Sequence, residues 1–185
     1  MAFKFHRLTI PDVVYVEPAV YRDERGFFVE LYKNADFARN GVPQGFAQVN
    51  QSKSQKDVLR GLHYQLSPFA QGKLITVLSG EIFDVAVDIR RGSPHYGKWI
   101  SVKLNADTKN MLYVPPGFAH GFCVLSETVE IIYFCTAIYC PEQERGIIWN
   151  DPSLAVDWPV KNPILSKKDQ ANKLFGEAEN NFNFS

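Results

Sequence analysis

Residues 58–65, VLRGLHYQ, combine the pattern of a short strand with two side chains that can do chemistry. Valine, leucine and tyrosine suit a pleated, partly buried segment. Arg60 and His63 rarely occupy a core without a partner, and the chain has only four histidines. Because imidazole titrates close to neutral pH without help from its surroundings, His63 is a candidate general base. The guanidinium of Arg60 is suited to binding phosphate oxygens.

Other strand-like segments each present an ionisable group on an otherwise apolar face. Successive side chains of a strand point to opposite faces, so Asp84 and Asp88 in EIFDVAVDI (81–89) share a face with isoleucine and alanine. The same rule places Lys73 and Tyr133 each on a face with apolar neighbours. Apolar walls with a few polar points are typical of a small-molecule pocket. The sequence therefore predicts that Lys73 and Tyr133 line a cavity, and that Asp84 and Asp88 face either a polar cavity or solvent.

The elements that must position these groups are mostly short strands. Strand-like segments lie near residues 12–21, 45–54, 60–66, 73–79, 81–89, 98–104, 110–114, 119–125 and 128–139. Pro18 interrupts the first of them, which indicates an edge or a bulge. A short helix is predicted over 34–41, with Asn34 as its N-cap and Gly41 just past its end, and a helical turn is predicted near 166–174. Many short strands at this spacing favour an all-β sandwich or barrel.

Length and composition limit the class of protein. The 185 residues suit one domain spanning 1–185. The 20 basic and 20 acidic residues balance, so the chain lacks the basic surface of a nucleic-acid-binding protein. No apolar run approaches the ~20 residues of a membrane helix, and the first residues lack the apolar stretch of a signal peptide. We therefore expect a soluble, cytoplasmic protein that binds neither nucleic acid nor membrane. Cys123, Cys135 and Cys140 are expected to be buried free thiols.

The segment PPGFAHGF (115–122) resembles half of the cupin signature, a Pro-x-Gly-x-x-His hairpin. Cupins are double-stranded β-helix jelly rolls, in keeping with the many short strands. Metal-binding cupins also supply a His-x-His pair on an earlier strand, where this chain reads His63-Tyr64-Gln65. Glutamine is a poor ligand for transition metals compared with imidazole. We therefore expect no metal site and no cofactor, and we keep a metal-dependent cupin enzyme only as an alternative.

Seven segments together resemble the dTDP-4-dehydrorhamnose 3,5-epimerase family. They are DERGFFVE (23–30), RGLHYQ (60–65), QGKL (71–74), GEIFDVAVDIR (80–90), PPGFAHGF (115–122), ERGIIWNDP (144–152) and LSKKD (165–169). The resemblance runs from about residue 10 to 170 and implies a cupin-type jelly roll that is usually a homodimer and works without metal. The implied substrate is a thymidine-diphosphate 4-keto-6-deoxy-hexose, the dTDP-sugar on the route to activated L-rhamnose.

The resemblance also implies roles for single residues. Epimerisation beside a ketone needs a base, an acid on the opposite face and a group that stabilises the enolate. The family pattern makes His63 the base, Asp169 its carboxylate partner and Tyr133 the acid. Lys73 and His120 are the candidates for the ketone oxygen, with Asp84 as a possible partner of either. Ser166 and Asp169 also fit a helix N-cap with an acid at the third position, and the two roles of Asp169 are compatible.

Further residues match family positions that hold the nucleotide-sugar. They are Arg25, Glu30, Gln48, Asn50, Arg60, Glu144 and Lys168. Groups from the N-terminal segment, residues 1–45, reach the neighbouring subunit's site in family members, which predicts that these strands are exchanged in a homodimer. Tyr139 shares the parity of Tyr133, but six residues of straight strand span ~20 Å, so Tyr139 is expected only to line the substrate site.

Two departures from the family pattern leave the specificity open. Val49 stands where the family usually has aspartate in Gln-Asp-Asn, and Phe134 stands where it usually has lysine after the tyrosine. Epimerisation of one carbon instead of two is therefore an alternative to the 3,5-epimerase. A sugar-nucleotide-binding module without activity is another, because it would keep the arginines but would not need a base and an acid on opposite faces.

Overall fold

The computed structural model describes residues 2–42 and 45–184. Its strands are β1 (Phe3–Arg7), β2 (Val14–Pro18), β3 (Val20–Asp23), β4 (Gly26–Val29), β5 (Gln48–Gln55), β6 (Leu59–Gln65), β7 (Lys73–Ser79), β8 (Glu81–Asp88), β9 (Trp99–Asn105), β10 (Met111–Val114), β11 (Phe118–Val124), β12 (Thr128–Cys135) and β13 (Glu144–Gly146). Two short helices, α1 (Asn34–Arg39) and α2 (Lys167–Gln170), and a 3-10 turn at Pro141–Gln143 complete the elements.

Two antiparallel sheets face each other. One has the order β1-β2-β10-β7-β12-β5 and the other the order β13-β6-β11-β8-β9, while β3 and β4 form a separate hairpin. Neighbours in space are mostly distant in sequence, as in a jelly roll. The expected all-β jelly roll is therefore confirmed.

The interior between the two sheets is an apolar core at one end. Ile75 and Val77 of β7 and Ile131 of β12 pack against Ile82 and Ala86 of β8. Each fully buried valine or isoleucine side chain of this core stabilises the fold by about 1.5–3 kcal/mol. This core fixes the spacing of the sheets, and the polar side chains discussed below lie beside it.

The C-terminal segment forms a second apolar layer on the outside of the five-stranded sheet. Leu154 and Trp158 pack against Val85 and Val87, the apolar face of β8, and against Leu59 of β6. Both faces of β6 and β8 are consequently covered, which explains why these strands carry so many large apolar residues. The face of 81–89 opposite Asp84 and Asp88 is thus the face that meets this layer.

Several boundaries differ from the sequence-based predictions. Helix α1 begins at Asn34, and its N-cap is Lys33, which makes no side-chain cap. The segment 12–21 contains two strands that meet after Pro18, and the strand predicted over 128–139 ends at Cys135. Strands β1, β4 and β13 were not predicted, because each is too short or too exposed to show a clear alternation.

Other expectations concern thiols and membrane segments. The cysteines are free, and Cys123 and Cys135 are buried, but Cys140 is partly exposed. Within residues 2–42 and 45–184, no helix has the length and apolar character needed to cross a membrane.

Candidate active site

Two adjoining cavities open between the sheets, beside the apolar core. Their volumes are about 330 and about 280 Å³. His63, Lys73, Tyr133 and Lys168 line both, so the cavities form one site, which we call the cup. The first compartment adds Gln48, Asn50, Tyr139 and Glu144, and the second adds Arg60, His120 and Asp169. The cup therefore brings together eleven of the fourteen residues singled out from the sequence.

A bulge in β6 turns both Arg60 and His63 into the cup. His120 of β11 pairs with His63, but Phe122 pairs with Arg60, so three steps along β6 match two along β11. The extra residue resets the alternation that would otherwise place Arg60 and His63 on opposite faces. Gly61 has φ +129°, and a Cβ there would lie 2.5 Å from the Cα of Gly121. Only glycine suits this position.

His63 forms a dyad with the buried carboxylate of Asp169. Nε2 of His63 lies 2.5 Å from Oδ1 of Asp169, whose residue is 3% exposed. The hydroxyl of Ser166 donates to Oδ2 at 2.7 Å and accepts from the Asp169 backbone N–H at 3.0 Å. The N-cap and the dyad are therefore both present. Burial raises the pKa of Asp169, but the hydrogen bonds from His63 and Ser166 outweigh it and hold that pKa below its usual value. The carboxylate is thus charged and can stabilise an imidazolium.

Tyr133 lies on β12, in the sheet that faces the sheet of His63. Its ring lines both compartments. Burial raises the pKa of the Tyr133 phenol above its ordinary value. The hydroxyl therefore keeps its proton at neutral pH and can donate it from the wall opposite His63.

Lys73, the first residue of β7, also lines both compartments. Within the part of the chain that the structure describes, no carboxylate lies within ion-pairing distance of its amine. Burial lowers the pKa of Lys73. An amine without a fixed partner can turn its hydrogens to an oxygen that gains negative charge in the cup.

Asp84 pairs with His120 rather than with Lys73. Nε2 of His120 lies 2.8 Å from Oδ1 of Asp84, which is fully buried and does not line the cup. The second carboxylate oxygen of Asp84 has no hydrogen-bond partner among the described residues. Asp84 thus contacts the cup only through the ring of His120.

A hydrogen-bonded cluster borders the first compartment. The hydroxyl of Tyr139 donates to Oε2 of Glu144, and the amine of Lys168 pairs with the same oxygen. Burial raises the pKa of Glu144, but the contacts with Lys168 and Tyr139 outweigh it and give a pKa below the usual value. The Glu144 acceptor raises the pKa of Tyr139 to about 12. Gln48 and Asn50 are joined on the adjacent wall by a 2.8 Å hydrogen bond.

Arg25 and Glu30 do not line the cup of their own chain. Arg25 lies at the turn of the β3–β4 hairpin, with its side chain 84% exposed and paired with Asp23 at 2.6 Å. Their role in holding the nucleotide-sugar therefore stays a prediction, which a single chain does not test.

The sequence-based prediction did not include some of the residues that line the cup. Ser52, Gln71 and Ser166 line it without having been assigned a site role. Gln65 also lines it, and its spacing of two from His63 was a usable signal. The departures Val49 and Phe134 lie outside the cup. Phe134 packs on Phe46 with ring centroids 5.6 Å apart, so it contributes to packing.

Two facing antiparallel sheets with titratable side chains between them define a cupin-type jelly roll. Residues 7–177 match a family model described as dTDP-4-dehydrorhamnose 3,5-epimerase. The chain belongs to that family.

Similar proteins agree with the family model. The dTDP-4-dehydrorhamnose 3,5-epimerase of Shigella flexneri is 53% identical over 171 residues, covering 92% of this chain and 94% of that protein. The enzyme of the same name from Pseudomonas aeruginosa is 51% identical over 178 residues, covering 95% and 98%. A crystal structure of dTDP-6-deoxy-D-glucose-3,5-epimerase from Legionella pneumophila, in complex with dTDP-4-keto-L-rhamnose, superposes with a TM-score of 0.91. It is 47% identical and the match covers 95% of this chain and 94% of that one.

Proposed function

We propose that this protein converts dTDP-4-dehydro-6-deoxy-D-glucose to dTDP-4-dehydro-L-rhamnose by epimerisation at C3 and C5. The activity for which the relatives that match nearly the whole chain are named supports this proposal. The single observation that carries it is the arrangement of the cup, with the His63–Asp169 dyad on one sheet and Tyr133 on the facing sheet.

The geometry suggests which atom is the base. Because Nε2 of His63 is engaged by Asp169 at 2.5 Å, the hydrogen on Nε2 donates to the carboxylate and the lone pair stays on Nδ1. Nδ1 takes the proton from the carbon beside the ketone, and the electron pair of that C–H bond becomes the enolate. Asp169 stabilises the imidazolium that forms.

The remaining groups complete the reaction. Lys73 donates to the ketone oxygen as it becomes an enolate oxygen. Because the Nε2 hydrogen of His120 is held by Asp84, His120 can donate to that oxygen from Nδ1 only as an imidazolium. Tyr133 then gives its proton to the other face of the carbon, and the phenolate and the imidazolium return to their starting states by proton exchange with water. The same set of groups serves C3 and C5 in turn, because both carbons adjoin the ketone.

The rest of the cup suits a nucleotide-sugar. Arg60 and Lys168 supply cations for the pyrophosphate, and both line the cup. The half-exposed ring of Tyr139 offers a flat surface for the thymine base. Gln48, Asn50 and Glu144 add polar contacts in the same compartment.

We also propose that the chain, a single domain over 1–185, works as a homodimer in the cytoplasm. Tyr21, Phe27 and Phe28 of the β3–β4 hairpin are exposed, and exposed apolar clusters mark interfaces. The hairpin also carries Arg25 away from its own cup, which suits delivery of Arg25 and Glu30 to a neighbouring cup. The free thiols of the described residues are in keeping with a reducing compartment.

Solvent exchange tests the activity. The purified protein is incubated with dTDP-4-dehydro-6-deoxy-D-glucose in deuterium oxide, and deuterium at C3 and C5 is followed by NMR. We expect incorporation at both carbons, and His63→Ala should abolish it. Absence of deuterium at both carbons with the wild-type protein would refute the proposed function. Deuterium at one carbon alone would show a single-carbon epimerase.

Mixing of two inactive variants tests the dimer. In a mixed dimer of His63→Ala and Arg25→Ala chains, one cup has both groups intact if Arg25 acts in its neighbour's cup. Refolding an equal mixture should then restore up to about one quarter of wild-type activity, since about half of the dimers are mixed and each has one intact site. A mixture that stays at the level of its components would exclude this role for Arg25.

A further inference from the structure

The chain crosses the mouth of the cup between β12 and β13. This crossing segment, residues 136–143, leaves the six-stranded sheet after Cys135 and joins the five-stranded sheet at Glu144. It carries Ile138 and Tyr139, which are 60% and 49% exposed. Since the segment belongs to neither sheet, something other than a ladder must satisfy its backbone polar groups.

Glutamine side chains bind the backbone of four successive residues in this segment. Two glutamines donate to carbonyls: Gln71 Nε2 to that of Ala137 at 2.7 Å, and Gln65 Nε2 to that of Ile138 at 3.2 Å. Two backbone N–H groups donate to glutamine oxygens: that of Tyr139 to Gln48 Oε1 at 2.7 Å, and that of Cys140 to Gln65 Oε1 at 2.8 Å. The three glutamines come from different parts of the chain and all line the first compartment.

Gln65 is the central member of this set. It is 4% exposed and makes two of the four bonds, on either side of Tyr139. Its amide also donates to the carbonyl of Phe69 at 2.7 Å. Both amide hydrogens are thereby used, so Gln65 has no donor left for a substrate and influences the cup through the crossing segment.

We propose that Gln65 is a positioning residue for the nucleotide-sugar, which holds the crossing segment so that the ring of Tyr139 lies over the first compartment. The inference rests on the proposed function, because it takes Tyr139 as a substrate contact. The position that gives metal-binding cupins a second ligand is used in this chain for three hydrogen bonds to backbone.

The test compares two identical substitutions. Gln65→Met keeps the length of the side chain but removes all three hydrogen bonds, whereas Gln51→Met changes an exposed glutamine of β5 that does not line the cup. For Gln65→Met we expect KM for the dTDP-sugar to rise about tenfold with kcat within about threefold of wild type, the pattern of lost uniform binding. Gln51→Met should leave both constants unchanged. An unchanged KM in Gln65→Met, or a lost kcat with normal KM, would overturn the inference.

A double-mutant cycle separates positioning from a general loss of structure. In a Tyr139→Ala background, Gln65→Met should raise KM by less than about twofold, because the contact through which Gln65 acts is already gone. A full tenfold effect in that background would contradict the inference. If Gln65→Met does not fold, Gln65→Glu replaces it. A carboxylate oxygen of the glutamate can still accept from the Cys140 N–H, but the glutamate has no hydrogens to donate to the carbonyls of Ile138 and Phe69. The same rise in KM is expected, and an unchanged KM counts against the inference.

Wild-type kinetics keep the two proposals apart. If the wild-type protein does not turn over the dTDP-sugar, the proposed function fails. If it does and the Gln65 variants bind it normally, only the role of Gln65 fails.

Discussion

Replacement of Asp169 by asparagine tests the dyad with the least change of shape. Asparagine can keep a hydrogen bond with Ser166 but carries no charge to stabilise an imidazolium. The Asp169 side chain is 4% exposed and that of His63 is 24% exposed, so solvent screens this pair weakly. Two unit charges about 4 Å apart attract by about 4 kcal/mol at an effective dielectric constant of about 20. Since about 1.4 kcal/mol corresponds to a factor of ten in rate, we expect kcat to fall about 1,000-fold.

The assay is the initial rate of deuterium incorporation at C3 and C5, measured at saturating substrate. KM should change little, because the neutral imidazole of the ground state gains less from the carboxylate than the imidazolium does. Ser166→Ala is the matched control. It removes the N-cap and one contact to Asp169 but keeps the charge, so it should cost about 1 kcal/mol of stability and less than about tenfold in kcat.

Thermal unfolding of both variants shows whether the fold is intact. A folded Asp169→Asn protein with kcat within tenfold of wild type would refute the assignment of Asp169 as the partner of the base. A larger loss of kcat in Ser166→Ala than in Asp169→Asn would also refute it, since the loss would then follow the helix cap rather than the charge.

Three further predictions concern the acid, the bulge and the C-terminal layer. Tyr133→Phe should stop the inversion of C3 and C5 while deuterium still enters these carbons with retention of configuration, because His63 can return a proton to the face from which it removed one. Loss of deuterium exchange together with loss of inversion would contradict this. Gly61→Ala should lower the stability by at least about 2 kcal/mol in a denaturant titration, since its Cβ would meet the backbone of Gly121; a change under 0.5 kcal/mol would show that the bulge tolerates a side chain. Burial raises the pKa of Asp151, but four hydrogen bonds from Ser153, Leu154 and Phe175 outweigh it and depress that pKa. The carboxylate therefore stabilises the fold above its unfolded pKa of ~4. Asp151→Asn should be less stable than wild type at pH 7, and the difference should shrink as the pH falls below ~4 and through the depressed folded-state pKa; a difference that does not shrink on acidification would contradict this.

The fold could be predicted because β-strands with one buried face leave a strong alternation in the sequence. The segments around Lys73, Asp84 and Tyr133 show it clearly, and the strands there agree with the expected ranges to within a few residues. The alternation also placed Lys73 and Tyr133 on faces that point inward. A prediction from this alternation uses only the local side-chain pattern, so it does not require the order of the strands in the sheets.

The bulge at Gly61 could not be predicted in this way. Simple parity separates Arg60 from His63, and only the pairing with β11 shows that both face the cup. The approach of Asp169 to His63 spans 106 residues, so its only local signal was the Ser166 cap, and the family pattern supplied the rest. The position of the β3–β4 hairpin relative to a neighbouring cup depends on a second chain and stays a prediction.

The glutamine contacts to the crossing segment have a consequence for how this scaffold can diverge. The glutamines bind backbone carbonyls and N–H groups, and every residue except proline provides both. None of these hydrogen bonds involves a side chain of residues 137–140. The path of the chain over the mouth is thereby uncoupled from the identity of the groups that it displays. Substitutions at Tyr139, which lines the first compartment, can consequently change which sugar or base is accepted, while the acid and base beneath keep their geometry.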